Sequence, residues 1–450
     1  MKLQKTIQIY EYLIAFYLAL QIIKPEQINF LPTIGGFISL LVMKYIYEGF
    51  RLNTIFLILF QLIILATSSS LAHFMAVCFA FVIIVYFPVY NYPAPSGKHL
   101  VGYRRFIENH QRVAIFYPTD EKKKDVRYYP HEDHWVRFYE IMKLSEIVSR
   151  GKRKYRIPKI LHKIVLTGLE RRKLGVNYKA NIIDNPSGFP VIIFSHGLSA
   201  NRHAYTVLMK EWASYGFIVM SLEHDENVLI RPKDNTEALE IRTGQLHHRA
   251  LYVKDLLSIV YEQKRMQQIL EKSDLKINYK QIFLSGHSFG GATAVETATY
   301  DKRVTGGLVL LDPWLEPCDQ SVYKASLNIP IISLRSQTFE GIAVLKELDL
   351  KLAKANSDNS DKLISGYFKS STHHSVTDMV LALPKELFIF GMLGDLQEIE
   401  DQLQYHTALT RIFLQTVIEN PNNIKQTTLE RYQKYLTEMK KSNVLILDEF

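Results

Sequence analysis

Hydrophobic residues are distributed in two different ways along the chain, and the change falls near residue 92. Before this point the chain is almost continuously apolar, in four runs at residues 6–23, 28–47, 52–68 and 71–90. Each run is close to the roughly 17–25 residues that an α-helix needs to cross a bilayer. The pattern therefore predicts about four transmembrane helices within residues 1–92, of which the first is the weakest because it contains Glu11.

Basic residues at the ends of these runs predict how the helices are oriented. If the N-terminus is cytoplasmic, only Lys24 lies on the outer side. The residues on the inner side are then Lys2, Lys5, Lys44, Arg51, Lys98, Arg104 and Arg105. Because basic residues are retained on the cytoplasmic side, we expect an integral, multi-pass membrane protein whose large domain is cytoplasmic.

Beyond a proline-containing linker at residues 91–99, the apolar runs are short and alternate with longer helical segments. Runs rich in β-branched or aromatic side chains and bounded by turn residues are FPVIIFSHG, GFIVMSLEH, QIFLSGHS, GGLVLLDPW and IPIISLRS. Continuous apolar strands separated by helices are typical of a mostly parallel sheet covered on both faces. We therefore expect an α/β domain over residues 98–395 and a helical, polar C-terminal extension over residues 396–450, to which the sequence assigns no chemistry.

Composition narrows the partners and cofactors of this domain. The net charge of +9 is modest for 450 residues and there is no Lys/Arg-rich tail. Nucleic acid is therefore not expected, and an anionic lipid surface is the better partner. Cys78 and Cys318 are the only cysteines and lie far apart, so a disulfide framework is not expected. No paired Cys/His spacing indicates a zinc site, and we expect no cofactor.

A basic segment ahead of the first strand–loop motif also favours contact with lipid. Apolar residues within 157–165 keep helical spacing, and Lys159, His162 and Lys163 lie on the opposite face. Such a helix is typical of an interfacial element, although a helix packed on the domain with a solvated charged face has the same pattern. We expect a bilayer as partner, and the sequence leaves the oligomeric state open.

The clearest chemical signal is the run QIFLSGHSFGGAT, which ends a predicted strand and opens a predicted helix. Gly286, Ser288 and Gly290 within it fit the pattern G-x-S-x-G. In a strand–turn–helix setting this pattern places the serine on a tight turn, with its hydroxyl exposed above the sheet. We therefore predict that Ser288 is a catalytic nucleophile. An incidental serine in a glycine-rich turn is the alternative.

A serine hydroxyl needs a base to remove its proton, and hydrolases with this turn place first an acid and then a histidine later in the chain. Asp312 follows the next apolar strand and is the predicted acid. Asp301 and Asp319 are weaker candidates because neither ends such a strand. The later loop SSTHHSVTDM offers His373 and His374 as the base, and the spacing does not decide between them.

The reaction also needs two donors for the oxyanion of a tetrahedral intermediate. The backbone N–H of Phe289, directly after the nucleophile, is the first predicted donor. The second is expected in the loop after an earlier strand. There, in FSHGLSANRH, the turn at His196 and Gly197 allows the backbone N–H of Leu198 to point into the site.

The motifs FSHGLSANRHAY, YGFIVMSLEH, FLSGHSFGGAT and LLDPW, with the histidine loop, resemble the plasma and intracellular type II platelet-activating factor acetylhydrolases over about residues 98–395. The resemblance implies an α/β-hydrolase fold without a calcium requirement. It also implies cleavage of short or oxidised sn-2 acyl chains of phospholipids by a serine nucleophile.

The resemblance further implies roles for individual residues. By matching positions, the nucleophile is Ser288, the acid is Asp312 and the base is His373, which leaves His374 as the second choice. The oxyanion donors correspond to the backbone of Leu198 and Phe289. The residues implied near the substrate pocket are His196, His224 and Trp314.

Together with the predicted apolar helices, this resemblance implies a membrane-tethered phospholipid esterase of the phospholipase A2 type. A lipase or carboxylesterase of broad specificity on neutral esters is the alternative enzyme. A catalytically silent, membrane-anchored binding protein is an alternative of a different class, and the intact Ser, Asp and His set argues against it.

Overall fold

A computed structural model describes residues 5–6, 8–23, 30–48, 52–67, 69–86, 89–90, 92–109, 111–124, 173–198, 200–224, 233–378, 381 and 396–449. Within them the chain forms an N-terminal group of helices and a large sheet with helices on both of its faces. The predicted amphipathic helix at residues 157–165 lies outside the described residues.

The strands include every short apolar run that the sequence predicted to be one. They are β1 (Lys5–Thr6), β2 (Val89–Tyr90), β3 (Leu100–Glu108), β4 (Gln111–Thr119), β5 (Asn177–Tyr178), β6 (Phe189–Ser195), β7 (Ile218–Glu223), β8 (Ile277–His287), β9 (Gly307–Leu311), β10 (Ile331–Ser336), β11 (Leu363–Phe368) and β12 (Leu445–Leu447). β1 pairs with β2, and the other ten form one sheet in the order β12-β11-β10-β9-β8-β6-β7-β4-β3-β5.

The centre of the sheet is parallel, from β11 through β10, β9, β8 and β6 to β7. β4 runs antiparallel to β7 and β3, and β12 runs antiparallel to β11. The register places Ser195 opposite Gly286, and His287 opposite Leu311. The carboxyl ends of β6, β8 and β9 therefore meet at one edge, which is where open α/β sheets carry their sites.

The described helices form the N-terminal group, which comes first in the chain, and the layers that cover both faces of the sheet. The helices are α1 (Ile9–Ile23), α2 (Phe30–Tyr47), α3 (Leu52–Ala66), α4 (Ser70–Tyr86), α5 (Thr206–Ser214), α6 (Asn235–Tyr261), α7 (Gln263–Leu270), α8 (Phe289–Tyr300), α9 (Gln320–Tyr323), α10 (Gln337–Glu340), α11 (Ala343–Ala355), α12 (Leu396–Glu419) and α13 (Ile424–Glu438). Alternate strand residues face opposite cores: Ile192 packs with α5 and α12, and Ile193 packs with α6 and α8. Because these strands are buried on both faces, their apolar residues follow one another and do not alternate with polar residues.

The N-terminal runs form helices, but the prediction of four transmembrane helices is wrong. Among the described residues, no helix has both the length and the apolar character that crossing a bilayer requires. The four helices have 15, 18, 15 and 17 residues. At about 1.5 Å per residue they are shorter than a hydrocarbon core of about 30 Å. The predicted integral, multi-pass localisation is therefore wrong as well, and the orientation argument no longer places the large domain in the cytoplasm.

Polar pairs between these helices explain the interruptions in their apolar pattern. Lys44 Nζ lies 3.0 Å from Glu11 Oε1, and both side chains are buried. The side-chain amides of Gln21 and Gln61 exchange two hydrogen bonds of 2.9 and 3.0 Å. A buried charge is tolerated when it is paired in this way. Glu11, which weakened the first predicted span, is thus a partner in a contact between helices.

The predicted linker is fixed to the sheet domain. The ammonium group of Lys210 on α5 is buried and donates to the carbonyl oxygens of Pro93 (3.1 Å) and Leu174 (2.6 Å). Ser96 donates to the carboxylate of Glu211 through its backbone N–H (2.8 Å) and its hydroxyl (2.5 Å). Helix α5 therefore holds the chain that enters the domain.

The C-terminal region contains the expected helices and also supplies an edge strand. α12 packs against α5, and β12 adds to β11. Directly after β12, Asp448 accepts two hydrogen bonds of 2.7 and 2.9 Å from the fully buried guanidinium of Arg335 at the end of β10. Asp349 and Glu340 are further partners of that guanidinium. Three carboxylates thus compensate one buried charge next to the carboxyl edge of the sheet.

Candidate active site

Ser288 occupies the corner between β8 and α8. Its backbone has φ 56° and ψ −120°, a region that non-glycine residues rarely adopt. The corner is tight: a Cβ at Gly286 would overlap the carbonyl group of Gly290, and a Cβ at Gly290 would overlap the carbonyl oxygen of Ser195. The glycines of the motif are therefore required by close backbone approach. Strain of this kind is typical of a nucleophile held at a fixed position.

Asp312 directly follows β9, the strand next to β8 in the sheet. Its backbone N–H donates to the carbonyl oxygen of Leu334 (2.8 Å), which holds it against β10. Its carboxylate accepts from the backbone N–H (2.5 Å) and from the hydroxyl (2.6 Å) of Ser336. The side chain is only 4% exposed. Two donors from one residue therefore fix the orientation of this carboxylate.

His373 lies in the loop after β11 and contacts Asp312 directly. Its Nδ1 is 2.9 Å from Asp312 Oδ2, and because a carboxylate only accepts, Nδ1 carries the proton and Nε2 is free to act as a base. The ring stacks on Phe339 with centroids 4.7 Å apart and planes 4° apart. The backbone N–H of His373 donates to Thr338 Oγ1 (3.0 Å). The imidazole is thus held by a hydrogen bond at its edge and by stacking on its face, and the backbone of the residue is held by a further hydrogen bond.

His374 occupies a different environment from its neighbour. Burial, and then the adjacent His373, lower the pKa of His374 to about 4. Its Nδ1 is buried and has no hydrogen-bond partner among the described residues. Its ring meets that of His373 edge-on, with centroids 5.6 Å apart. Of the two histidines between which spacing did not decide, His373 makes the hydrogen bond to Asp312.

Backbone contacts bring Ser288 to the same corner as this pair. The backbone N–H of Ser288 donates to the carbonyl oxygen of Leu311 (2.9 Å), next to Asp312. The carbonyl oxygen of Ser288 accepts from the backbone N–H of Trp314 (2.9 Å). On the other side, the ring of His287 packs on His373 with centroids 4.4 Å apart. The three predicted catalytic residues therefore follow β8, β9 and β11 at one edge of the sheet.

Ligand atoms of His287, Asp312 and His373 lie within 4.8 Å of one another, a spacing that a metal ion could bridge. Both ring nitrogens of His287 are already engaged, with the hydroxyl of Tyr205 (2.8 Å) and the carbonyl oxygen of His373 (2.8 Å). The carboxylate of Asp312 is engaged with Ser336 and His373. The arrangement fits proton transfer better than it fits metal coordination.

The predicted oxyanion loop is held by a buried arginine. Arg249 on α6 donates to the carbonyl oxygens of His196 (2.7 Å) and Gly197 (3.5 Å), and its guanidinium lies 4.5 Å from the ring centroid of Phe289. No cis peptide bond occurs among the described residues. Because a trans peptide directs its N–H opposite to its carbonyl, holding Gly197 O on the arginine side turns the Leu198 N–H away from it. The N–H of Phe289 lies in the first turn of α8, where it has no partner within the helix.

The three residues that were expected near the substrate pocket contact the segments that form the site. His196 is buried: its Nε2 accepts from the backbone N–H of His224 (3.0 Å), and its Nδ1 donates to Gly197 O (2.7 Å). The Nε2 of His224 lies 2.8 Å from Ser195 Oγ. Trp314 packs against Phe289 with ring centroids 5.5 Å apart. The ring of His196 thus orients main chain, whereas the ring of His224 contacts the hydroxyl of Ser195. Substrate contact by any of the three residues remains a prediction.

Sequence reasoning missed several residues that build the site. Ser336 ends the predicted strand IPIISLRS, so its position at the sheet edge was a usable signal. His287 is the variable residue before the nucleophile in the motif, which the pattern leaves undefined. No feature of the sequence pointed to Tyr205, Arg249 or Phe339, because their contacts form between segments that are far apart in the chain.

Buried histidines make the stability of the protein depend on pH. Burial lowers the pKa of His406, whose Nδ1 bonds the carbonyl oxygen of Gln402 (2.7 Å), to about 4, against about 6.5 in an unfolded chain. The folded state therefore binds fewer protons, and stability present above pH 6.5 is lost as the pH falls toward 4. From pH 7 to pH 5 this histidine is expected to remove about 2 kcal/mol from the free energy of unfolding.

Urea unfolding at the two pH values checks this expectation. His406→Gln should lower stability at pH 7 but also reduce its loss between pH 7 and pH 5. The same change at the exposed His248 should leave the pH dependence as it is. An unchanged pH dependence in His406→Gln would contradict the assignment of a neutral buried ring.

The chain is similar in sequence to proteins of a known family. A model of the family "Platelet-activating factor acetylhydrolase, isoform II" matches residues 84–238 and 225–430. A protein named platelet-activating factor acetylhydrolase from Cavia porcellus is 24% identical over 373 residues, which are 74% of this chain and 79% of that protein. One from Canis lupus familiaris is 27% identical over 241 residues, which are 46% of this chain and 52% of that protein.

A third relative of the same name, from Gallus gallus, is 28% identical over 229 residues, 42% of this chain and 53% of that protein. The chain thus spans about half the length of several of the curated relatives it matches. Among solved structures, a ferulic acid esterase from Streptomyces cinnamoneus is similar with a TM-score of 0.47 and 17% identity, over 73% of this chain and 91% of that chain.

Proposed function

Because this chain belongs to the platelet-activating factor acetylhydrolase isoform II family, we propose that it is a serine esterase that hydrolyses the sn-2 ester of phospholipids bearing short or oxidised acyl chains. The observation that carries the proposal is the 2.9 Å hydrogen bond between His373 and the buried Asp312, beside the strained corner at Ser288. The names of the relatives support the substrate class.

The proposed reaction begins at Ser288. Nε2 of His373 takes the hydroxyl proton while Oγ bonds to the acyl carbon, and the carbonyl electrons move onto its oxygen. The backbone N–H groups of Leu198 and Phe289 hold that oxyanion. The intermediate then breaks its bond to the glycerol oxygen, which receives the proton from His373, and water repeats the sequence on the acyl-enzyme. Asp312 keeps the ring oriented and stabilises its charged form.

Activity-based labelling tests this proposal. The full chain should react covalently with a fluorophosphonate probe, and Ser288→Ala should not react. In the presence of a calcium chelator it should hydrolyse phosphatidylcholine with a short sn-2 chain faster than long-chain phosphatidylcholine or triglyceride. Preference for triglyceride would identify an esterase of neutral lipids instead, and absence of labelling would identify a protein without turnover.

Arg249 is expected to influence the rate of the reaction through the oxyanion loop. Arg249→Met removes the donors to the carbonyl oxygens of His196 and Gly197, so the Leu198 N–H loses its fixed direction. We expect kcat to fall by about 100-fold with little change in KM, because the oxyanion forms only after binding. Steady-state kinetics should show no comparable loss in Arg242→Met on the same helix. A rise in KM at unchanged kcat would contradict this role.

We infer that the protein takes its substrate from a lipid surface without crossing it. Large apolar side chains of the N-terminal helices are exposed, for example Ile23 and Leu71, each 71% exposed. The full chain should float with neutral phosphatidylcholine vesicles and stay bound at high salt, since an apolar contact is not screened. Release by salt would indicate binding by charge instead, and sedimentation away from the vesicles would contradict the inference.

A further inference from the structure

His287, the residue directly before the proposed nucleophile, joins two loops of the site. Its side chain is only 3% exposed. Its Nε2 lies 2.8 Å from the carbonyl oxygen of His373, and its Nδ1 lies 2.8 Å from the hydroxyl oxygen of Tyr205. Tyr205 belongs to the segment that follows the oxyanion loop. The ring therefore bridges the loop of the proposed base and the loop of the proposed oxyanion donors.

The direction of each hydrogen bond in this bridge is determined by chemistry. A carbonyl oxygen only accepts, so the proton of His287 is on Nε2 and its Nδ1 is an acceptor. The hydroxyl of Tyr205 must then donate to Nδ1. That hydroxyl also accepts from the backbone N–H of Gly197 (3.2 Å). The bonds run in one direction from Gly197 through Tyr205 and His287 to the main chain of His373.

A neutral ring is required for this arrangement. A proton on Nδ1 would turn the acceptor into a second donor and would reverse this bond, so that the hydroxyl of Tyr205 would accept from the ring and its own proton would lose its acceptor there. Burial, followed by repulsion from the side chains of His373 and His374, keeps the pKa of His287 well below its usual value. The ring of His287 therefore stays neutral at neutral pH, and the directions of the bonds in the bridge are kept.

We propose that His287 is a positioning residue that fixes the main chain of the proposed base, His373, relative to the turn of the oxyanion loop at Gly197. The proposal rests on the proposed esterase function. The ring also packs on His373, with centroids 4.4 Å apart and planes 35° apart, so it restrains both the backbone and the side chain of that residue. A displacement of about 1 Å in such a group costs about 100-fold in rate.

A second set of contacts between the same two segments allows a test without loss of the fold. Asp378, later in the base loop, donates through its backbone N–H to Ala204 O (2.7 Å). Its carboxylate accepts from the backbone N–H groups of Thr206 and Val207 at the start of α5. These bonds hold the base loop on α5 when His287 is changed. His287 therefore orients the proposed base locally, and a measurement of folding stability alone would not detect this role.

The test compares variants that keep or remove single bonds of the bridge. His287→Leu removes both bonds, whereas His287→Gln can place an amide N–H near the former Nε2 and keep the donor to the carbonyl of His373. With a short-acyl phosphatidylcholine, His287→Leu is expected to lower kcat about 100-fold with KM within about twofold. His287→Gln should recover at least about tenfold of that loss. His406→Leu, at another buried ring bonded to a carbonyl, should lower the melting temperature but keep kcat within about twofold.

Coupling between Tyr205 and His287 provides the second measurement. Tyr205→Phe removes the hydroxyl, and the double variant Tyr205→Phe/His287→Leu is expected to be no slower than His287→Leu alone, because both changes break one series of bonds. Fluorophosphonate labelling of the unmodified protein is recorded in parallel. If it labels and turns over but His287→Leu behaves like His406→Leu, or Gln gives no recovery, the positioning role is overturned. If the unmodified protein does not label, the proposed function fails first.

Discussion

Replacing His373 with glutamine is expected to lower kcat by about four orders of magnitude, whereas the same change at His374 is expected to leave it within about threefold. His373 bonds the buried carboxylate of Asp312 at 2.9 Å and keeps Nε2 as a free base. His374 has no such contact, and burial lowers its pKa to about 4. Glutamine can keep a bond to Asp312 but cannot take a proton from the serine.

Steady-state kinetics on the two variants, with fluorophosphonate labelling of both, decide this prediction. The two changes are chemically identical and lie on adjacent residues, so each is the control for the other. Equal losses in the two variants would mean that the loop as a whole, and not one ring, is required. A greater loss at His374 would reverse the assignment of the base.

Asp312→Asn is expected to produce a loss of similar size by a different route, about 10⁴-fold in kcat. The backbone N–H of Ser336 donates to Asp312 Oδ1, so the amide oxygen of asparagine takes that position and its NH₂ group faces His373. Nδ1 of His373 must then accept, and its proton moves to Nε2. The ring is held in the same place but in the wrong tautomer to act as a base.

The pH dependence of the rate distinguishes this mechanism from simple misfolding. In Asp312→Asn, the residual rate should rise with pH as hydroxide replaces the missing base, while the circular dichroism spectrum stays unchanged. Asp319→Asn, at an exposed aspartate that the sequence offered as a weaker acid, should keep the rate of the unmodified protein. Loss of activity in Asp319→Asn with little effect in Asp312→Asn would contradict the assignment.

The sheet could be predicted from the sequence because its central strands are buried on both faces and therefore appear as short continuous apolar runs. The turn at Ser288 was equally visible, since close backbone approach requires glycine at fixed positions around it. The N-terminal region was misjudged for a physical reason. A hydropathy sum along the chain does not show that Glu11 and Lys44 form an ion pair between two helices. It also does not show how many residues of each apolar run are helical.

The residues that orient the site were beyond sequence analysis for a different reason. Arg249 and His287 act on backbone carbonyl oxygens, which every residue carries, so their partners leave no trace in residue type. Tyr205 and His287 are 82 residues apart in the chain and meet only after the sheet has formed. The residues proposed to take part in the reaction could be predicted from the sequence. The side chains that orient them could be identified only from the folded structure.

The position of β12 has a consequence for the order in which the protein matures on the ribosome. Arg335 directly precedes Ser336, which ends β10 and holds the proposed acid. One of the three carboxylates around the guanidinium of Arg335 belongs to Asp448. More than a hundred residues are synthesised between the two partners. Until the last of them leaves the exit tunnel, a cation next to the site has an incomplete set of counter-charges. A chain that does not yet include β12 is thus expected to hold the end of β10, and with it Ser336, less firmly than the full chain does.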